Sequence, residues 1–268
     1  KPITIFVGKN SCGKSSLLRF PIVLAQTATY NTDSPIMFYG KMLDYGNYED
    51  VVFGGNKENI EFAIHYDIDI NDLQDARYRV EEEMMTSNTE DIKDTWMKVC
   101  IGKKDNKMYV DTVELYVENI LISGFYYNNS SYIVKLNSLY VEGIFLEERY
   151  ELNLKSVAFD TFFPIYDSKE KFSAIVELVY AKLAEHVEEK KVQELYNKLY
   201  NNVNPFGDDD YTNQEKKIMR ISGGFDYAST LMSHIYQRFQ IESIITTYIG
   251  PFRENPERVY RDSESQSR

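Results

Sequence analysis

The residues with the clearest chemical spacing lie at the start of the chain, where Gly8, Gly13, Lys14 and Ser15 of "GKNSCGKSS" satisfy the pattern G-x-x-x-x-G-K-[ST]. These types at this spacing suit a phosphate chain. Glycines let successive backbone N–H groups wrap an anion, and a helix that opens at the second glycine turns its positive end toward it. The lysine ammonium then reaches the β and γ phosphates, and the serine hydroxyl ligates Mg²⁺. Average residue frequencies produce the bare pattern in roughly one chain in a hundred of this length. The flanks make accident rarer: "ITIFV" before it reads as a buried strand, and residues 14–29 have helical composition. The candidate nucleotide-binding residues are therefore Gly8, Asn10, Ser11, Cys12, Gly13, Lys14, Ser15 and Ser16, with Ser15 also on the metal.

A strand, a glycine loop and a helix must position this loop, and Pro21 inside the helix predicts a kink there. Residues 43–55, "LDYGNYEDVVFGG", read as loop and turn. Residues 59–163 then alternate apolar and polar types between Asn, Gly and Ser turns, in "IEFAIHYDIDI", "MKVCIG", "MYVDTVELYVENILISGFYY", "YIVKLNSLYVEGIFL" and "YELNLKSVAF". Strands so closely spaced leave no room for crossover helices, so they predict an antiparallel sheet beside the phosphate loop. Residues 75–98 interrupt the alternation and read as an exposed excursion with some helix.

Phe172, Ile175, Val176, Leu178, Val179, Leu183, Val187, Val192, Leu195 and Leu199 recur at helical spacing and predict one or two amphipathic helices over 169–203. A second helical region spans 213–240. Together these helices are expected to leave the sheet as an arm. A strand near 244–249 is expected to return to the core, followed by a Pro and Gly loop. The division is 1–58 for the start of the nucleotide-binding core, 59–165 for the antiparallel lobe, 166–240 for the helical arm and 241–268 for the return strand and loop.

Composition bounds the function. Of 268 residues, 42 are Asp or Glu and 30 Lys or Arg, a net charge of -12, which argues against a strong nucleic-acid binder because that affinity comes from Lys and Arg neutralising phosphates. No apolar run approaches the roughly 20 residues a membrane span needs, and the first residues lack the layout of a secretion signal. Cytoplasm and no membrane partner are expected. Two cysteines, Cys12 and Cys100, match no disulfide framework or zinc spacing and read as reduced thiols.

The form of the loop is more specific than its existence. Asn10 two residues after the first glycine, and Ser16 after Ser15, resemble the loop of ABC-type and SMC-like ATPases, including the RecF and OLD families. "LRFPIVLAQT", "SPIMFYG", "LDYGNYEDVVFGG" and "YIGPFRENPERVYR" are similar to stretches of bacterial AAA-annotated, OLD-like ATPases, most of all those of Septu systems and Septu-like retrons in anti-phage defence. The resemblance implies an α/β P-loop NTPase of ABC/SMC-like type, with an antiparallel β lobe and a helical arm. It implies ATP and Mg²⁺ as cofactors, ATP hydrolysis, a homodimer or higher oligomer closed around nucleotide, and an HNH nuclease partner, with a retron reverse transcriptase and its nucleic acid in some systems. A nucleotide sensor with little turnover and a DNA-repair ATPase of RecF type are the alternatives.

Such ATPases also carry a signature segment and a strand of four apolar residues ending in Asp-Glu. No apolar strand here ends so, and the chain is therefore expected to be partial, with catalytic residues lying elsewhere. Ser222-Gly223-Gly224 reads as a turn that breaks the helix, the signature segment being the alternative. The resemblance places Glu49 and Asp50 in the loop that senses Mg²⁺ and the γ-phosphate, with no metal-sensing Gln in an unmistakable position. Arg253 and Arg258 read as surface residues of a Pro and Gly loop or as groups at the nucleotide edge. His65, His186 and His234 read as packed or surface histidines, and the acidic runs 81–83 and 208–210 as solvated loops.

Overall fold

Period-2 alternation sets the architecture of the computed structural model, which describes residues 7–9, 13–30, 32–52, 59–69, 92–117, 119–141, 144–154, 157–165, 168–183, 187–201 and 211–246. Strands β1 (Ile60–Asp69), β2 (Ile92–Lys104), β3 (Lys107–Val117), β4 (Ile120–Asn128), β5 (Ser131–Val141) and β6 (Ile144–Leu154) form one sheet in sequence order, every neighbour antiparallel. Strands β7 (Ala158–Asp160) and β8 (Phe163–Ile165) add a short hairpin. Tight reversals hold the meander together: Asp105 and Asn106, at φ 49° and 62°, join β2 to β3 in the left-handed region that Asn and Asp tolerate best.

The register puts Phe62, Val99, Val113, Phe125 and Val134 in one row across five strands. Four of these are buried and Phe62 is packed against them. The opposite face carries Glu61, His65, Trp96, Lys98, Glu114, Tyr116 and Lys135, so the sheet is half-solvated, as antiparallel sheets commonly are. On that face Trp96 stacks on Tyr116 at 3.9 Å and on His65 at 5.6 Å between ring centroids.

Helices cover the apolar face. They are α1 (Lys14–Thr29), the single turn α2 (Tyr48–Val51), α3 (Ser168–Leu183), α4 (Glu189–Asn201) and the long α5 (Asn213–Ile245). α5 packs against α1, α3, α4, β5 and β8, and α3 packs against β6. A chain of edge-on rings, Phe20 to Phe62 to Phe162 to Phe239, ties α1 through the sheet to α5 at centroid separations of 5.2, 5.3 and 5.2 Å. α5 is capped by Thr212, whose side chain accepts from the Glu215 amide while the Glu215 carboxylate accepts from the Thr212 amide.

Four expectations need correction. The helices do not leave the sheet as an arm, because α3 packs on β6, α5 packs on β5, β8 and α1, and α4 packs on α5. Ser222-Gly223-Gly224 does not break a helix but lies inside α5. The 3–4 spacing of Ile218, Met219, Ile221, Phe225, Ala228 and Met232 runs through it, and packing on both sides outweighs the cost of about 1 kcal/mol per glycine. The described part of the strand expected at 244–249 is helical: Ile244 and Ile245 end α5, and residues 247–249 lie outside the described residues. The excursion expected over 75–98 ends earlier, since β2 begins at Ile92; its first part lies outside the described residues. Within the stretch read as loop and turn, Asn47 and Asp50 form a capping box around α2. α1 runs through Pro21 as one assigned helix.

Candidate phosphate-binding site

α1 begins where the motif requires it. Gly13 stands at the helix N-cap in the left-handed region, φ 83°, a conformation that suits a residue without Cβ. Gly13 has no side chain to cap this end, and no acid stands in the first turn. The first hydrogen bond of the helix runs from the Leu17 amide to the Gly13 carbonyl at 3.0 Å, so the amides of residues 14–16 have no partner within the helix. Ser15 and Ser16 are exposed.

Lys14 is the first helical residue, where a cation opposes the helix dipole. Its ammonium turns back and donates to the Gly8 carbonyl at 2.8 Å and to the Lys9 carbonyl. A lysine at the wrong end of a dipole, beside uncapped amides, suits a site for an anion. The donor set fits a triphosphate: amides and ammonium for the phosphate oxygens, and the Ser15 hydroxyl for one position on Mg²⁺. Thus Gly8, Gly13, Lys14, Ser15 and Ser16 converge on the N-terminal end of α1. Asn10, Ser11 and Cys12 lie outside the described residues, as does most of the strand expected before the loop; Val7 is exposed.

Residues 37–52 run beside α1 and connect it to the sheet. Gln26, fully buried, donates to the Met37 carbonyl at 2.6 Å and accepts from the Leu43 amide at 3.2 Å. Thr27 accepts from the Met37 amide at 2.9 Å, and the Tyr45 hydroxyl donates to the Ser16 carbonyl at 3.4 Å, within one turn of the phosphate end. On the far side the Tyr48 hydroxyl donates to the Ile101 carbonyl of β2 at 3.2 Å, and Glu49 is paired with Lys103. Desolvation, with the nearby acids adding to it, holds the Tyr48 hydroxyl above its ordinary pKa, so it stays a donor.

This differs from what the resemblance implies for Glu49 and Asp50. Glu49 pairs with Lys103 at the sheet, and Asp50 accepts from the Asn47 amide at 2.9 Å within its own turn. Gln26 went unnoticed in the sequence, although a Gln in the apolar run "PIVLAQTA" is itself a signal: buried deep, it must find partners.

Of the other candidates, the structure describes His65, His234 and Cys100. His65 lies on the open sheet face, 3.5 Å from Asp94, and His234 lies on α5. His186, the acidic runs 81–83 and 208–210, Arg253 and Arg258 lie outside the described residues. The Cys100 thiol is pushed up chiefly by desolvation, with Asn59 opposing and Asp111 and Glu61 adding to the rise, which makes it a poor nucleophile. Among the described residues no three His, Cys, Asp or Glu gather as a metal site, and no helix is long and apolar enough to cross a membrane. No family model, no curated protein and no solved structure matches the chain.

Proposed function

We propose that the chain binds ATP with Mg²⁺ and hydrolyses it as a subunit of an ABC/SMC-like ATPase of OLD type. In this reading it dimerises around nucleotide and controls a partner effector, an HNH nuclease in anti-phage defence, beside a retron reverse transcriptase and its nucleic acid in some systems. The observation that carries the reading is Lys14 opening an exposed helix directly after a left-handed Gly13, with its ammonium turned back to the Gly8 carbonyl. Bound ATP supplies the anhydride to be cleaved. The amides of residues 14–16 orient its phosphates, Lys14 exchanges the Gly8 and Lys9 carbonyls for phosphate oxygens, and Ser15 holds one position on the metal. A sensor with little turnover is the second reading.

Sedimentation velocity tests the proposal. Mg²⁺ and ATP should shift the chain from its nucleotide-free species to a dimer or larger, and Lys14→Ala should leave it unshifted. A wild-type chain whose sedimentation ignores ATP would overturn the dimerisation claim.

A further inference from the structure

We propose that a cavity between the sheet and α5 is a binding site for one small aromatic molecule with a single hydrogen-bonding group, of the phenol class. The cavity measures about 160 Å³ and lies between β4, β5, β8 and α5, away from the phosphate end of α1. Its walls are mainly apolar, with Phe125, Leu136, Phe163, Phe225 and Met232 among them. Packed interiors leave few voids larger than a water molecule, and an apolar cavity of about 150 Å³ takes up benzene.

One polar group is left for a ligand. Ser123 of β4 is 2% exposed, lines the cavity, and takes no side-chain hydrogen bond among the described residues. The other hydroxyls on the wall have already given their protons to protein acceptors and can only accept. Tyr236 donates to the Asp160 carboxylate, Ser229 to the Asp226 carbonyl at 3.3 Å and Ser233 to the Ser229 carbonyl at 2.8 Å. Ordered water needs two to four polar partners, so a single available hydroxyl among phenyl and aliphatic walls suits a ring with one polar atom better than a water cluster. The Ser123 hydroxyl can donate or accept, and a phenol hydroxyl placed beside it makes one hydrogen bond with it.

Calorimetric titration of the whole chain with phenol and with toluene, which matches it in shape, tests this. Phenol should bind at about 1 mM or tighter and roughly five- to tenfold better than toluene, the ratio expected for one buried hydrogen bond. Ser123→Val should abolish that preference while still admitting toluene. Ala228→Leu, which pushes bulk into the cavity, should weaken both ligands tenfold or more with the thermal transition retained. Lys14→Ala should change neither. Absence of phenol binding to the wild-type chain, or binding that survives both cavity variants unchanged, would overturn the proposal. If Ala228→Leu unfolds the chain, the Ser123→Val preference decides alone.

Discussion

Along α1, Leu17 and Leu18 are 57% and 51% exposed, whereas Ile22, Val23, Ala25, Gln26 and Thr27 are buried. One helix thus carries two regions built to opposite rules. Its N-terminal turn is exposed and starts with a cation, which opposes the helix dipole. Two turns later even the polar residues are enclosed, and each finds partners in residues 37–43. The exposed end of α1 and its buried middle differ in how much of each residue is enclosed.

The comparison is sharpened most by the aromatic core. Phe162 is fully buried and touches the rings of Phe62, Phe163 and Phe239 at 5.3, 4.8 and 5.2 Å. Phe162→Ala should lower unfolding free energy by about 3–5 kcal/mol, measured by urea denaturation. Leu17→Ala, at the phosphate end, should change it by less than about 0.5 kcal/mol. Equal losses would show that the exposed end of α1 is held as tightly as the aromatic core.

A smaller effect of opposite sign is expected in α5. A Cβ added at Gly223 meets Leu199 at 3.5 Å, an ordinary contact, and its backbone is helical. Gly223→Ala should raise stability by about 0.5–1 kcal/mol, read by thermal or urea unfolding. A loss would mean that this position is reserved for close approach and not for a plain helix.

The smallest effect is electrostatic. The Lys191 ammonium at 2.7 Å, with the Thr212 amide and hydroxyl, lowers the Glu215 carboxyl to a pKa of about 2. A carboxyl depressed in the folded state adds stability above its unfolded pKa and loses it as pH falls through the folded one. Stability of the wild-type chain should therefore fall between about pH 5 and pH 2 by more than that of Glu215→Gln, in paired urea titrations. Parallel pH curves would remove Glu215 from the account.

Much of the fold was legible because it follows from periodicity. Alternation is visible in "MYVDTVELYV" without any knowledge of partners, and the apolar stripes of α3 and α4 stand out among Glu and Lys. Ile241, Ile244 and Ile245 misled because β-branched residues favour strands, while the helix preceding them was already paid for by packing through Phe239. Gly223 and Gly224 misled because glycine punctuates isolated sequence but yields to burial on both sides. The candidate loop at 8–16 stands out by residue types alone, since so few types suit a phosphate chain. Its connection to the sheet through Gln26, Tyr45, Tyr48 and the Glu49–Lys103 pair joins residues up to 54 positions apart, and no local pattern encodes such contacts.

The most direct test is equilibrium binding of ATP with Mg²⁺ to the wild-type chain and to Lys14→Ala, with urea unfolding of both as the control. Charge-assisted contacts of this kind are worth roughly 1.5–3 kcal/mol, so the variant should bind about tenfold more weakly or worse while its unfolding curve stays within about 0.5 kcal/mol of wild type. Equal affinity in the two proteins, or no affinity in either, would contradict the assignment of residues 8–16 as a nucleotide site.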